Sequence, residues 1–389
     1  MKFSHRGINI LINAAIVLLI ILITWSFLNQ EIGYKRYETA TLSYNKAKVL
    51  KINKQELVLD GSGEYITGYQ EIRVKFVSGK EKGKEVDIEN ALTATHNVMA
   101  KTGQTLIICS DVPENAESYY TVYNYYRSPF IWLIILAFLG IIALVGGKKG
   151  IKSGLSLLLT FFLILCYLLP AIYRGESPLF STVITAALST AISLYYLNGL
   201  SYKTLIGILS TTMGIIISGI LFFIISKLLT ISGYQTDEAE SMILISQSTG
   251  LQIKGILFAG VLIASLGAVM DIAVSIGSSL YEIYILNPAI TGRELFKSGM
   301  NIGKDMIGTM TNTLILAYAG SSLMTLLIFI SYGLQYHQLL SSDYLAIELG
   351  QAIAGSAAIV ITIPVASAFC SLGYPHFNKK TRHDNGGQS

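Results

Sequence analysis

The chain has 389 residues, of which 52% are hydrophobic and 13% charged, with a net charge of +4 and a mean hydropathy of +0.55. A soluble globular domain carries about 25% charged residues, so this composition excludes that class, and so small a net charge gives no electrostatic case for nucleic acid as a partner. The three cysteines (Cys109, Cys166, Cys370) and five histidines form no metal-ligand spacing, and no HExxH, Walker A or dinucleotide-binding glycine fingerprint occurs. Neither a cofactor nor an enzymatic activity is expected.

Apolar runs long enough for a bilayer core, roughly 20 residues each, predict about eight transmembrane helices: 8–28, 129–147, 153–172, 179–198, 204–227, 253–286, 306–334 and 348–372. The first has a basic flank (Lys2, Arg6) and no small-x-small cleavage site before Asn29, which reads as an uncleaved anchor over 1–28. Segment 29–127 differs in composition, with 13 basic and 13 acidic residues. Its strand-like runs are Ala47–Ile52, Leu57–Leu59, the alternating Ile72, Val74 and Phe76, Glu85–Ile88 and Thr105–Cys109, with Ser78–Lys84 as a hairpin loop. They predict a small β-rich domain, a closed barrel of the OB kind. Tyr119–Tyr126 ("YYTVYNYY") reads as an interfacial tyrosine belt, or else a ligand-stacking surface.

Loop charges give the orientation. With the N-terminus inside, 12 Lys and Arg fall in cytoplasmic segments, against Arg174, Lys227 and Lys254 in short outer loops. That bias predicts a bacterial plasma-membrane protein with both termini cytoplasmic. The β-rich domain is then extracytoplasmic, 128–372 forms a seven-helix membrane domain, and 373–389 is a cytoplasmic tail.

Asp271 is the most informative residue. It lies mid-way along an apolar stretch of 32 residues, Gly255–Leu286, where a charge costs about 3 kcal/mol on insertion scales. On a helix, Gly267, Asp271, Ser275, Ser278 and Glu282 follow steps of four, four, three and four, which puts them on one face. Val269, Ile272, Ile276 and Leu280 fall on the other. Small residues and hydroxyls alone would read as a packing seam. The acid argues against that, because Lys227 and Lys254 sit only at outer ends of spans and no Lys or Arg lies deeper to pair with it. It must therefore be neutral, solvated in a cavity, or facing a bound cation. In the next span Asp305, Gly308, Thr309 and Asn312 share a face, with Asn312 as a plausible partner for Asp271. Asp305 sits at the boundary beside Lys304, and the threonine hydroxyls can also bond back to their own helix. The last span begins at Glu348, with Gln351, Gly355 and Ala358 at similar spacing and Pro364 inside it. "NPAITGRELFKSGMNIGK" before span seven reads as an amphipathic segment on the cytoplasmic surface.

Ser265–Ile283 ("SLGAVMDIAVSIGSSLYEI") and Ser298–Leu323 ("SGMNIGKDMIGTMTNTLILAYAGSSL") resemble the YibE/F-like family of bacterial multi-pass membrane proteins. The likeness extends more loosely over the later spans and the segment after the first. It implies fold and location and supplies no substrate and no site residues. Three functions follow from the residues: a secondary transporter coupled to protons or cations through Asp271 for a small solute; a non-catalytic scaffold whose outer domain recruits envelope partners or a second copy; and, least favoured, an intramembrane aspartyl enzyme. The last needs carboxyls about 3 Å apart, whereas Asp305 lies at a span's end and Asp271 at mid-depth.

Overall fold

In the computed structural model the chain is described over residues 41–385, except 114–116, 237–238 and the side chains of 248–249 and 377–385, together with five residues between 16 and 23. The predicted first span, 8–28, thus lies almost wholly outside the described residues, as does the tail beyond 385. Two compact units are present: Lys35–Ile141, which holds the strands, and a helical unit running from Ile142 onward.

The first unit is one antiparallel sheet of five strands in the order β3-β2-β1-β4-β5. The strands are β1 (Leu42–Leu59), β2 (Ile66–Phe76), β3 (Glu85–Leu92), β4 (Thr105–Asp111) and β5 (Tyr119–Tyr125). The sheet is a half-barrel whose edge strands β3 and β5 are not paired with each other, rather than the closed barrel that the strand spacing suggests. The two runs at 47–52 and 57–59 belong to a single 18-residue strand. Register shifts at Val49/Lys51 and Ile52/Lys54 bend it so that one strand serves two neighbours. The concave side buries Ala47, Val49, Ile72, Val74, Phe76, Leu106 and Ile108, the inward half of each alternating pattern. Two buried polar residues sit among them. Gln70 and Asn90 are cross-strand partners. Gln70 accepts the Ala100 N–H at 2.8 Å, and Asn90 donates to the Val98 carbonyl at 2.8 Å, so the pair fastens the loop after β3 across the sheet. Tyr119–Tyr125 is the edge strand β5, and its Val122 is buried in that core.

The helical unit is built from long apolar helices. They are α1 (Ser128–Leu163), whose residues up to Ile141 count with the first unit and which runs through a π-helical turn (Ile164–Leu168) into α2 (Leu169–Tyr173), α3 (Pro178–Asn198), α4 (Tyr202–Leu228), α5 (Ala239–Thr249) and α6 (Ile256–Leu286). After these come α7 (Gly292–Ser321), α8 (Leu323–Ser331), α9 (Tyr336–Leu340) and α10 (Asp343–Asn385). Gly147 breaks α1 with a left-handed φ of 54°, so the predicted spans 129–147 and 153–172 occupy one helical stretch interrupted at a glycine. A side chain at Gly150 would overlap the Ile142 carbonyl eight residues back. Span seven is a bent pair: α7 and α8 meet at 54°. Among the described residues five helices are long and apolar enough to cross a bilayer, or six with the bent pair counted as one.

α6 and α10 form the spine. Ile272, Ile276, Leu280 and Tyr284 of α6 pack with Ile359, Ile363, Ala366, Cys370 and Tyr374 of α10. α7 lies close to α10 because its facing positions are glycines. A Cβ on Gly299 would come 2.5 Å from Ser367 Oγ, and one on Gly303 would overlap Ile363. Hydroxyl pairs join other helices, as membrane interfaces favour: Ser218 with Ser265 at 3.2 Å, and Thr160 with Ser189 at 2.7 Å.

Candidate functional site

The helical period fixes what α6 shows on each side. Val269, Ile272, Ile276 and Leu280 are each 0% exposed, packed against α3, α4, α7 and α10. Gly267, Asp271 and Glu282 are exposed on the opposite side, with Ser275 and Ser278 half-buried beside them. The polar stripe therefore lies on the outward face of this helix and does not point into the packed centre of the bundle. Asp271 has no hydrogen-bond or ion-pair partner among the described residues.

Followed toward its N-terminal end, the stripe continues through Ala264 and Gly260, at the same steps of three and four. Those two residues line a cavity of about 410 Å³. Tyr318 from α7, Gln351 from α10, and Thr236 and Met242 from around α5 complete its wall. Ala264 is seven residues from Asp271, about 10 Å along the axis. Gln351 is thus placed at the cavity, in a separate position from the other predicted residues. Glu348, one turn before it, has a buried carboxyl oxygen with no hydrogen-bond partner.

On α7, Asp305, Thr309 and Asn312 are all exposed. Gly299, Gly303 and Leu314 occupy the side toward α10, so the polar residues project the other way. No hydrogen bond joins Asn312 to Asp271. Two threonine hydroxyls bond within their own helix, Thr309 donating to the Met306 carbonyl at 3.1 Å and Thr313 to the Thr309 carbonyl at 2.8 Å, whereas the buried Thr311 hydroxyl has no hydrogen-bond partner. The structure gathers Gly267, Asp271, Ser275, Ser278 and Glu282 on one stripe, and Asp305, Thr309 and Asn312 on a second. Among the described residues no group of three or more His, Cys, Asp or Glu side chains converges.

Residues 134–376 match the model of the family described as YibE/F-like protein, more than half of the chain. The chain belongs to the YibE/F-like family. The match takes in α6, α7 and α10 together with the cavity at Gln351, so the whole candidate site lies in the family's shared part. No curated protein matches, and no solved structure matches.

Sequence reasoning missed three parts of this site. Gly260 and Ala264 extend the very periodicity that identified Asp271, and the same steps would have found them. Tyr318 and Thr236 lie on other helices, and spacing along one helix carries no signal for them. The small-residue seam of α7, at Gly299 and Gly303, lies within the amphipathic segment and the family string, and neither pattern says which helix the glycines face.

Proposed function

We propose that this YibE/F-like protein is a secondary transporter for a small solute, with Asp271 as the proton or cation coupling group. The observation that carries this reading is the two-faced character of α6. One face is fully packed, and the other holds an unpaired acid at mid-span on a stripe that runs into a cavity lined by Tyr318 and Gln351. An acid at that depth is costly unless water, a proton or a cation meets it. Ser275, Ser278 and Glu282 continue the polar surface past Asp271, while Thr309, Asn312 and Asp305 give the neighbouring helix a polar surface of its own. We further propose eight crossings in a bacterial plasma membrane with both termini inside, on the strength of the 12-to-3 bias in basic loop residues.

The test is solute-driven proton flux into liposomes holding a pH-sensitive dye, with a panel of small solutes added outside. Wild-type protein acidifies or alkalinises the lumen with one of them, Asp271→Asn does not, and Asp271→Glu restores part of the signal. An Asp271→Asn protein that matches wild type removes the coupling role.

A scaffold is the second reading, and its supporting observation is the separate β unit with a core of its own. Deleting 40–115 then abolishes the cellular phenotype while Asp271→Asn leaves it intact. The transporter reading predicts loss with Asp271→Asn in a stably folded protein.

A further inference from the structure

A second cavity lies where the C-terminal end of α4 meets the N-terminal end of α6, with a volume of about 480 Å³. Its polar wall is Lys227, Thr230, Ser232 and Lys254, and its floor is Phe223 and Phe258. Three basic residues were assigned to short loops on this side of the membrane. Arg174 pairs with Glu176 at 3.4 Å, and the other two both line this one cavity. Neither Lys227 nor Lys254 has an ion pair among the described residues. The Lys227 ammonium rests 5.6 Å above the Phe223 ring, a contact that leaves its charge available. Among the described residues no acidic side chain lines the cavity. Gly255 caps α6 there without a side-chain hydrogen bond, so the positive end of a 31-residue helix adds to the two lysines.

This cavity does not end at its polar wall. Leu179, Phe223 and Phe258 are shared with an adjoining groove of about 280 Å³. The rest of that groove is Val183, Ile215, Ile216, Gly219, Ile220 and Leu262, all hydrocarbon or bare backbone. A basic, hydroxyl-bearing pocket thus opens directly into an apolar slot between α3 and α4. Glycine at 219 keeps the slot open, since a Cβ there would already touch Leu262 at 3.3 Å.

We infer that the two cavities together bind an anionic amphiphile, with a phosphate or carboxylate headgroup between Lys227 and Lys254 and a hydrocarbon tail in the groove over Gly219. A bare anion would leave the groove empty, an uncharged lipid would leave both ammonium groups unpaired, and a zwitterion would bring a cation of its own against them. Both a membrane phospholipid and a free fatty acid have this chemistry. The site is separate from the Asp271 stripe and does not depend on a transport role.

The test is native mass spectrometry of the full chain released from nanodiscs containing equal amounts of phosphatidylglycerol and phosphatidylcholine. Two lysines beside an anionic headgroup favour its retention by about thirtyfold over the zwitterion, at roughly fivefold each. Lys227→Gln with Lys254→Gln brings the ratio close to one, whereas Lys227→Arg with Lys254→Arg keeps it. Lys148→Gln with Lys149→Gln, at the opposite end of the helices, also keeps it. Gly219→Leu lowers retention of the dioleoyl lipid and spares a dihexanoyl one. Added oleate that displaces phosphatidylglycerol identifies the free acid as the tighter ligand, and failure to displace it identifies the phospholipid; each supports the site. Equal retention of the two lipids by the wild-type protein overturns it. So does an unchanged ratio in the double glutamine variant, or an equal loss in the Lys148/Lys149 control.

Discussion

The Tyr374 hydroxyl donates a 2.8 Å hydrogen bond to the backbone carbonyl oxygen of Gly277. It fastens the later part of α10 to the packed face of α6, and the Tyr374 ring also meets Tyr281 edge-on at 5.4 Å between centroids. Tyr374→Phe keeps the ring and removes the bond, for a loss of about 0.5–1.5 kcal/mol. Thermal unfolding of the purified protein checks this against Tyr332→Phe, whose ring is 79% exposed. Equal midpoints for the two variants would show that the bond adds nothing.

The approach of α7 to α10 depends on the missing side chain at Gly303. Gly303→Ala forces a methyl group into Ile363, and overpacking of this kind costs about 1–3 kcal/mol. Ile363→Ala removes both γ carbons that the methyl meets, so the double variant is more stable than the sum of the two single changes. Simple additivity in a double-mutant cycle would mean that the two positions do not meet.

In the β unit, Gln70 accepts from the Ala100 amide and donates to the Ala100 carbonyl at 3.2 Å. Gln70→Leu leaves that amide and the Asn90 side chain short of partners in a buried place, at a cost of about 2–3 kcal/mol. Hydrogen exchange at Val98–Ala100 accelerates first, ahead of the strands. Uniform acceleration across the sheet would indicate a global loss and no local role for the pair.

Acid weakens the same unit through its surface pairs. Arg73 grips Asp87 with two hydrogen bonds, 2.9 and 2.5 Å, and Asn53 donates a third at 3.0 Å. The Arg73 contact comes first in holding the Asp87 carboxyl below its usual range. A depressed folded-state value means that the stabilisation is complete above the unfolded value of about 3.9 and fades as pH falls through the lower, folded one. Asp87→Asn therefore matters at pH 6 and converges on wild type near pH 2, read by denaturant titration of the tyrosine fluorescence. A gap that persists unchanged at pH 2 would assign the effect to something other than this charge.

Much of this was legible in the sequence where one periodicity had one cause. The alternation at Ile72, Val74 and Phe76 named a buried sheet face, and the steps from Gly267 to Glu282 separated the stripe from Val269, Ile272, Ile276 and Leu280. Three things were not legible. A helical pattern sorts faces without naming neighbours, and an apolar side looks the same whether lipid or protein covers it. Hence the stripe's outward direction, and the place of Gln351 at the cavity into which the stripe runs, came only with the fold. Barrel closure was also hidden, because it depends on whether β3 and β5 pair and no residue pattern within either strand reports that. Lys227 and Lys254 stand 27 positions apart, and only the packing of α4 on α6 brings them to one cavity.

The packing of α6 has a mechanical consequence. Four side chains with no exposure, spread over three turns, key this helix into four neighbours at once, and turning it would unseat all of them. Asp271 is thus a fixed post in the membrane. The neighbouring helix is not so continuous, since α7 passes into α8 at Ser322 through a 54° bend.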